Sequence, residues 1–139
     1  MNPFHLMVHT CASLPADGAV DINGSTVTPS QAAAGGGPFS IGFDEAYRRL
    51  ESLPRLFIEG DGSFVWRTDD GQIDGNLFDR DGRLLFVELK GACSGAIFRQ
   101  CLDCLAAESL LFQLVEHGIF VDRETVFRLF FPEHHAEAS

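Results

Sequence analysis

The most regular alternation of apolar and polar positions lies in the middle of the chain. Phe43, Ala46, Tyr47, Leu50 and Leu53 recur at helical spacing, with Ser40 or Asp44 as the cap and Pro54 as the stop. Three strand-like runs follow over 63–67, 72–78 and 84–90, divided by Asp-Asp-Gly and Asp-Arg-Asp-Gly turns. They predict an antiparallel meander, preceded by a short strand over 56–59. Ser94 is placed to cap a second helix running to about Ala107. The run 110–115, apolar except for Gln113, predicts a buried strand, and 119–121 a further short strand or turn. Asp122 then opens a last helix that ends before Pro132. The order is α-β-β-β-α-β-α, which reads as a single α/β (α+β) domain over 43–131.

Outside that span the pattern weakens. Nothing before residue 43 shows a sustained helical or strand period, and Ala32-Ala33-Ala34-Gly35-Gly36-Gly37-Pro38 is low in complexity. Residues 1–42 are therefore expected to be a disordered tail, and 132–139 a frayed end.

The second hairpin decides which polar residues can meet. A three-residue Arg80-Asp81-Gly82 loop, closed by glycine in the left-handed conformation, sets Asp79 opposite Arg83. Asp74 then opposes Glu88, and Gln72 opposes Lys90, so all four share one face. A two-residue Asp81-Gly82 turn would shift the register by one and send Asp74 to the other face.

Composition narrows the function classes. The chain has 139 residues, 45% of them hydrophobic, enough for one domain with a core of its own. Its net charge is −10, and 43–131 alone holds sixteen acids against all ten bases. That balance disfavours broad nucleic-acid affinity, which needs lysine and arginine against phosphates. Without a run of about twenty apolar residues no membrane helix is expected. Met1-Asn2-Pro3-Phe4-His5-Leu6-Met7-Val8-His9 carries no basic start, so no signal peptide is read there, and a cytoplasmic setting is the expectation.

The candidate chemistry sits at the only lysine. Ile73-Asp74-Gly75 on one strand and Val87-Glu88-Leu89-Lys90 on the next place an acid beside Glu-x-Lys. This order of elements and this pair of motifs resemble the PD-(D/E)xK nuclease superfamily, the restriction-endonuclease-like fold, over about 43–115. The resemblance implies an αβββαβ core with a mixed sheet flanked by helices, and a Mg²⁺- or Mn²⁺-dependent phosphodiester hydrolase. It implies Asp74 and Glu88 as metal ligands, the Leu89 carbonyl as a third oxygen and Lys90 as the catalytic lysine. Glu45 on the first helix is the nearest counterpart of a further glutamate ligand, with Glu51 behind it, and Gln100 stands on the helix after the third strand. Ile73 takes the place of the motif's proline, and the acidic surface departs from the positive face of such nucleases.

A second reading stays open beside the first. Asp74, Glu88 and Lys90 are also what a half-exposed sheet presents to water when it balances its own charge. On that reading the chain is a non-catalytic, acidic interaction module for a protein partner or a second copy. The phenylalanines then belong to core packing, and the apolar end 126–131 is a place where a dimer contact would be covered. Cys101 and Cys104 lack a matching pair to complete a zinc site, and Cys93 lacks a base, so buried packing is expected of all three. His117 and the His134-His135 pair read as surface residues. Arg48, Arg49, Arg55, Arg80 and Arg83 are the only bases that would form a positive stripe, and ion pairing with nearby acids is their default.

Overall fold

Phe4, Leu6 and Val8 alternate with His5, Met7 and His9, the period of two that a strand buried on one face requires. In the computed structural model, which describes residues 2–10, 13–32, 37–105 and 109–132, this stretch is strand β1 (Phe4–His9). After it come β2 (Ser13–Pro15), β3 (Val20–Ile22), β4 (Ser25–Val27) and β5 (Ser30–Ala32). The next elements are α1 (Phe43–Glu51), β6 (Leu56–Ile58), β7 (Ser63–Thr68), β8 (Gly71–Arg80) and β9 (Arg83–Cys93). The chain continues through α2 (Gly95–Asp103), β10 (Leu111–Leu114), β11 (Ile119–Val121) and α3 (Arg123–Phe130). Nine strands form one sheet in the order β2-β5-β11-β10-β1-β9-β8-β7-β6, and β3 pairs with β4 as a separate ribbon.

The expected tail is thus corrected. β1 lies mid-sheet, paired to β9 on one side and β10 on the other, with Leu6 and Val8 wholly buried. Ile22 and Val27 of the ribbon are buried in the same core. The domain that begins at residue 43 in the sequence reading therefore draws its central strand from the first nine residues. Residues 33–36, Cys11, Ala106, Ala107 and 133–139, including His134 and His135, lie outside the described residues.

The mixed sheet also changes character for a physical reason. β9 and β10 are joined through α2 and run in the same direction, because each is antiparallel to β1. β1 occupies the slot between them, so every hydrogen-bonded pair in the sheet is antiparallel. A crossover helix leaves such a slot whenever its strands are not adjacent, and an antiparallel intruder satisfies both open ladders. The sequence order of helices and strands over 43–131 otherwise holds.

All three helices lie on one face. Ala46 and Leu50 of α1, Phe98 and Leu102 of α2, and Val126 and Phe127 of α3 join Leu6, Val8, Ile73, Leu77, Val87 and Leu89 in one buried cluster. Phe98 is edge-on to Phe4 at 5.3 Å between ring centroids and stacked on Phe131 at 4.6 Å. Each such side chain contributes about 1.5–3 kcal/mol by leaving water. The end of α3, expected at a dimer contact, is spent on this core: Val126, Phe127 and Phe131 are buried in it. Two of the caps stand where the sequence puts them. Ser94 Oγ accepts from the Ile97 amide at 3.3 Å, and Asp122 Oδ1 accepts from the Thr125 amide at 2.8 Å. α1 differs, with Gly42 as its N-cap and no side-chain bond there.

Candidate functional site

The β8–β9 turn is shorter than expected. Arg80 pairs with Arg83, and Asp81 and Gly82 have φ of 53° and 80°. Two consecutive positive φ values are those of a type I′ turn, for which Asp-Gly is well suited. By itself this turn would have sent Asp74 to the wrong face. The register then slips once more: Asp79 pairs with Leu84 but Phe78 with Phe86, which leaves Leu85 as the extra residue of a β-bulge. Two one-residue shifts restore the parity. Asp74 sits directly opposite Lys90, and Glu88 opposite Asn76.

Asp74, Glu88 and Lys90 thus share the face that faces away from the helices. β1 adds His5 opposite Lys90 and Met7 opposite Glu88. His5 Nε2 lies 2.7 Å from Glu88 Oε2, as a hydrogen bond in which the ring nitrogen donates. Gln72 Nε2 donates to Asp74 Oδ1 at 3.1 Å. No ion pair joins Lys90 to either acid among the described residues. The four groups make a row of polar side chains across three central strands.

The two acids of this row are each engaged by a neighbouring side chain. Asp74 and Glu88 are diagonal neighbours, about 7–8 Å apart at Cα, and each carboxylate already accepts from a side chain. Leu89 is fully buried on the helix side and paired across both of its neighbours, so its carbonyl lies in the ladder. Glu45 is on α1, on the opposite side of the sheet, where it pairs with Arg48 and with Arg49 at 3.2 Å. Glu51 is exposed on the same helix, and Gln100 lines a hollow between α1 and α2 with Arg49 and Asp103. Among the described residues no group of three or more His, Cys, Asp or Glu is placed to hold a metal ion. Comparison with protein-family models, with curated proteins and with solved structures gives no match for the chain. The side chains themselves must carry the reading.

The remaining candidates are structural. Burial holds the Cys101 thiol well above the ordinary cysteine range and raises that of Cys104, which favours their protonated forms. Cys93 is buried at the end of β9. Arg55 pairs with Asp69 at 3.1 Å, and Arg80 and Arg83 face each other at the hairpin tip. His117 is exposed in the turn after β10, as the sequence suggests.

Two residues of β1 escape a reading of the sequence. His5 completes the polar row and lines a cleft of about 480 Å³ with Asn23, Glu116 and His117. His9 lies between Phe86 and Phe120, with ring centroids 5.7 and 5.8 Å away, and its Nε2 is shielded without a partner among the described residues. Burial lowers its pKa. The alternation of β1 was the signal that would have found both.

Proposed function

We propose that this chain is a non-catalytic protein-interaction module whose working surface is the helix-free face of the sheet. The observation that carries this is the way that face is dressed. Phe78 and Phe86 stack on it at 4.6 Å, Met7, Val65 and Phe120 are half-buried, and Phe57 is 72% exposed at its edge strand. Among the polar groups between them, His5 is tied to Glu88 and Gln72 to Asp74. An aromatic and aliphatic surface with a few fixed polar groups is the anatomy of a protein contact.

Thermal melting with Mn²⁺ or Mg²⁺ at millimolar concentration tests this against a metal-dependent nuclease. A cation bound only by the folded chain would raise Tm by linkage. The expected result is no metal-dependent shift in wild type, and no cleavage of branched, single-stranded or duplex DNA. A shift that vanishes in both Asp74→Asn and Glu88→Gln, with cleavage lost in Lys90→Ala, would replace the module with an enzyme.

A further inference from the structure

The helix-free face differs in sign from the rest of the chain. On β7, β8 and β9 the register sets Arg67, Asp74, Arg80, Arg83, Glu88 and Lys90 there, four bases against two acids. The chain as a whole carries −10, and its remaining six bases and eighteen acids leave −12 elsewhere. The bases are least diluted at the hairpin end. Arg80 and Arg83 stand directly opposite each other, while Asp79 pairs with buried Leu84 and so faces the helices. The nearest strand acid on the same face is Glu88, opposite Asn76, four residues or about 13 Å along β8. That exceeds the ~8 Å over which unscreened charge acts at physiological salt. Arg67, Arg80, Arg83 and Lys90 make no ion pair among the described residues. Like charges directly opposite on a hairpin repel, and an anion held between them removes that repulsion.

Resting on the interaction-module reading, we propose that the occupant of this face is an acidic segment of a partner protein. Its carboxylates are held by Arg80 and Arg83, whose guanidinium forks suit them, and its apolar side chains lie on Phe78, Phe86 and Met7. Such a segment is attracted to this face and repelled by the −12 of the remaining surface, which fixes where it lands. Lys90 and Arg67 stand six and eight residues further along, so an extended segment of about eight residues reaches them as well.

Two observations favour a polypeptide over single-stranded nucleic acid. A base needs an open ring face to stack on. Here the rings of Phe78 and His9 flank Phe86 at 4.6 and 5.7 Å between centroids, so these rings face one another and present an apolar ridge. A continuous run of phosphates would also cross Asp74 and Glu88, whereas a polypeptide can place its acids only where the bases are.

Fluorescence anisotropy with labelled probes on the full chain tests the proposal. The acidic probe is a peptide of about twelve residues with glutamate pairs at both ends of a leucine and phenylalanine stretch, and it is expected to bind with a Kd below about 100 μM at low salt. Three controls are its counterpart with lysine for glutamate, its counterpart with serine for the apolar residues, and oligothymidylate of equal length. Each is expected to bind at least about tenfold more weakly. Arg80→Glu and Arg83→Glu are each expected to weaken the acidic probe at least about tenfold, yet to melt no lower than wild type, since each replaces facing like charges by an opposite pair. The double variant Arg80→Gln with Arg83→Gln removes the anchor without reversing charge. Arg128→Glu, exposed on α3, changes net charge as much as either reversal and is expected to leave binding unchanged. Circular dichroism establishes that each variant is folded. An acidic probe that does not bind, or binding indifferent to Arg80 and Arg83, or equal loss in Arg128→Glu, would each overturn the proposal. With no metal-dependent shift in Tm, those outcomes leave the module reading in place with another partner. Preference for oligothymidylate, or a metal shift, removes the module reading itself.

Discussion

Leu6→Ala asks whether the first nine residues belong to the core. Leu6 is wholly buried and lies opposite Leu89 on one side and Leu114 on the other. Truncating it removes three heavy atoms between two strands that are each held in place by other pairings, so the gap cannot close fully. Comparable Leu→Ala changes cost about 3–5 kcal/mol, the lost transfer energy plus the cavity. Set against a total stability of about 5–15 kcal/mol, that is a large share. At this chain length it lowers Tm by roughly 10–20 °C. Urea unfolding followed by tryptophan fluorescence reads the loss directly. Trp66 is the only tryptophan, it is 2% exposed, and its indole N–H donates to the Pro54 carbonyl at 2.9 Å. Met7→Ala is the control: it alters the same strand on the helix-free face and is expected to cost about 1 kcal/mol or less. If Leu6→Ala lies within about 0.5 kcal/mol of wild type, the burial of β1 and the architecture built on it are refuted.

Three smaller effects follow from local geometry. Gly75 lies under the Phe64 ring, and a Cβ there would stand 2.0 Å from its Cζ; Gly75→Ala is expected to cost about 1–3 kcal/mol in urea unfolding as the ring is pushed off its rotamer. Asp122→Ala removes the α3 cap and is expected to cost about 1 kcal/mol, with Asp122→Asn recovering most of it. Burial holds His9 below its ordinary value of 6.5, so the unfolded chain takes up this proton before the folded one does. The stability it contributes is complete above that value and is lost as pH falls, by at most about 1.4 kcal/mol per unit. His9→Phe keeps a ring between Phe86 and Phe120, and its ΔG is expected to fall less steeply than wild type's from about pH 7 to 5; equal slopes would show that His9 does not couple to folding.

Elements over 43–131 were legible because each carries its own punctuation. Pro54, Ser94 and Asp122 mark helix ends by local chemistry, and Asp-Gly marks the hairpin tip without reference to anything distant. β1 has no such mark. Six residues of alternation mean little until the slot between β9 and β10 exists, and that slot is made by residues about 80 to 110 positions later. Register was harder still. Leu84, Leu85 and Phe86 are all apolar, so nothing in the alternation tells which of them is the bulge. The sequence therefore led to the right face for Asp74 by the wrong turn. The hydrogen bond of His5 to Glu88 was out of reach for the same reason as β1 itself.

The co-location of Asp74, Glu88 and Lys90 deserves less weight than a motif gives it. In a sheet covered by helices on one face, a charged residue on a central strand has two choices. It turns to the open side, or it leaves water among Leu77, Val87 and Leu89 without a partner, at several kcal/mol per ion. Burial alone therefore sorts Asp74, Glu88 and Lys90 onto one face before any chemistry is asked of them. What burial does not dictate is convergence, the closing of three donors on one point. Here the third element beside the acids is a histidine from β1, and it closes on Glu88 rather than leaving room between Glu88 and Asp74. The polar side chains of β8, β9 and β1 thereby form a row in which His5 is tied to Glu88 and Gln72 to Asp74.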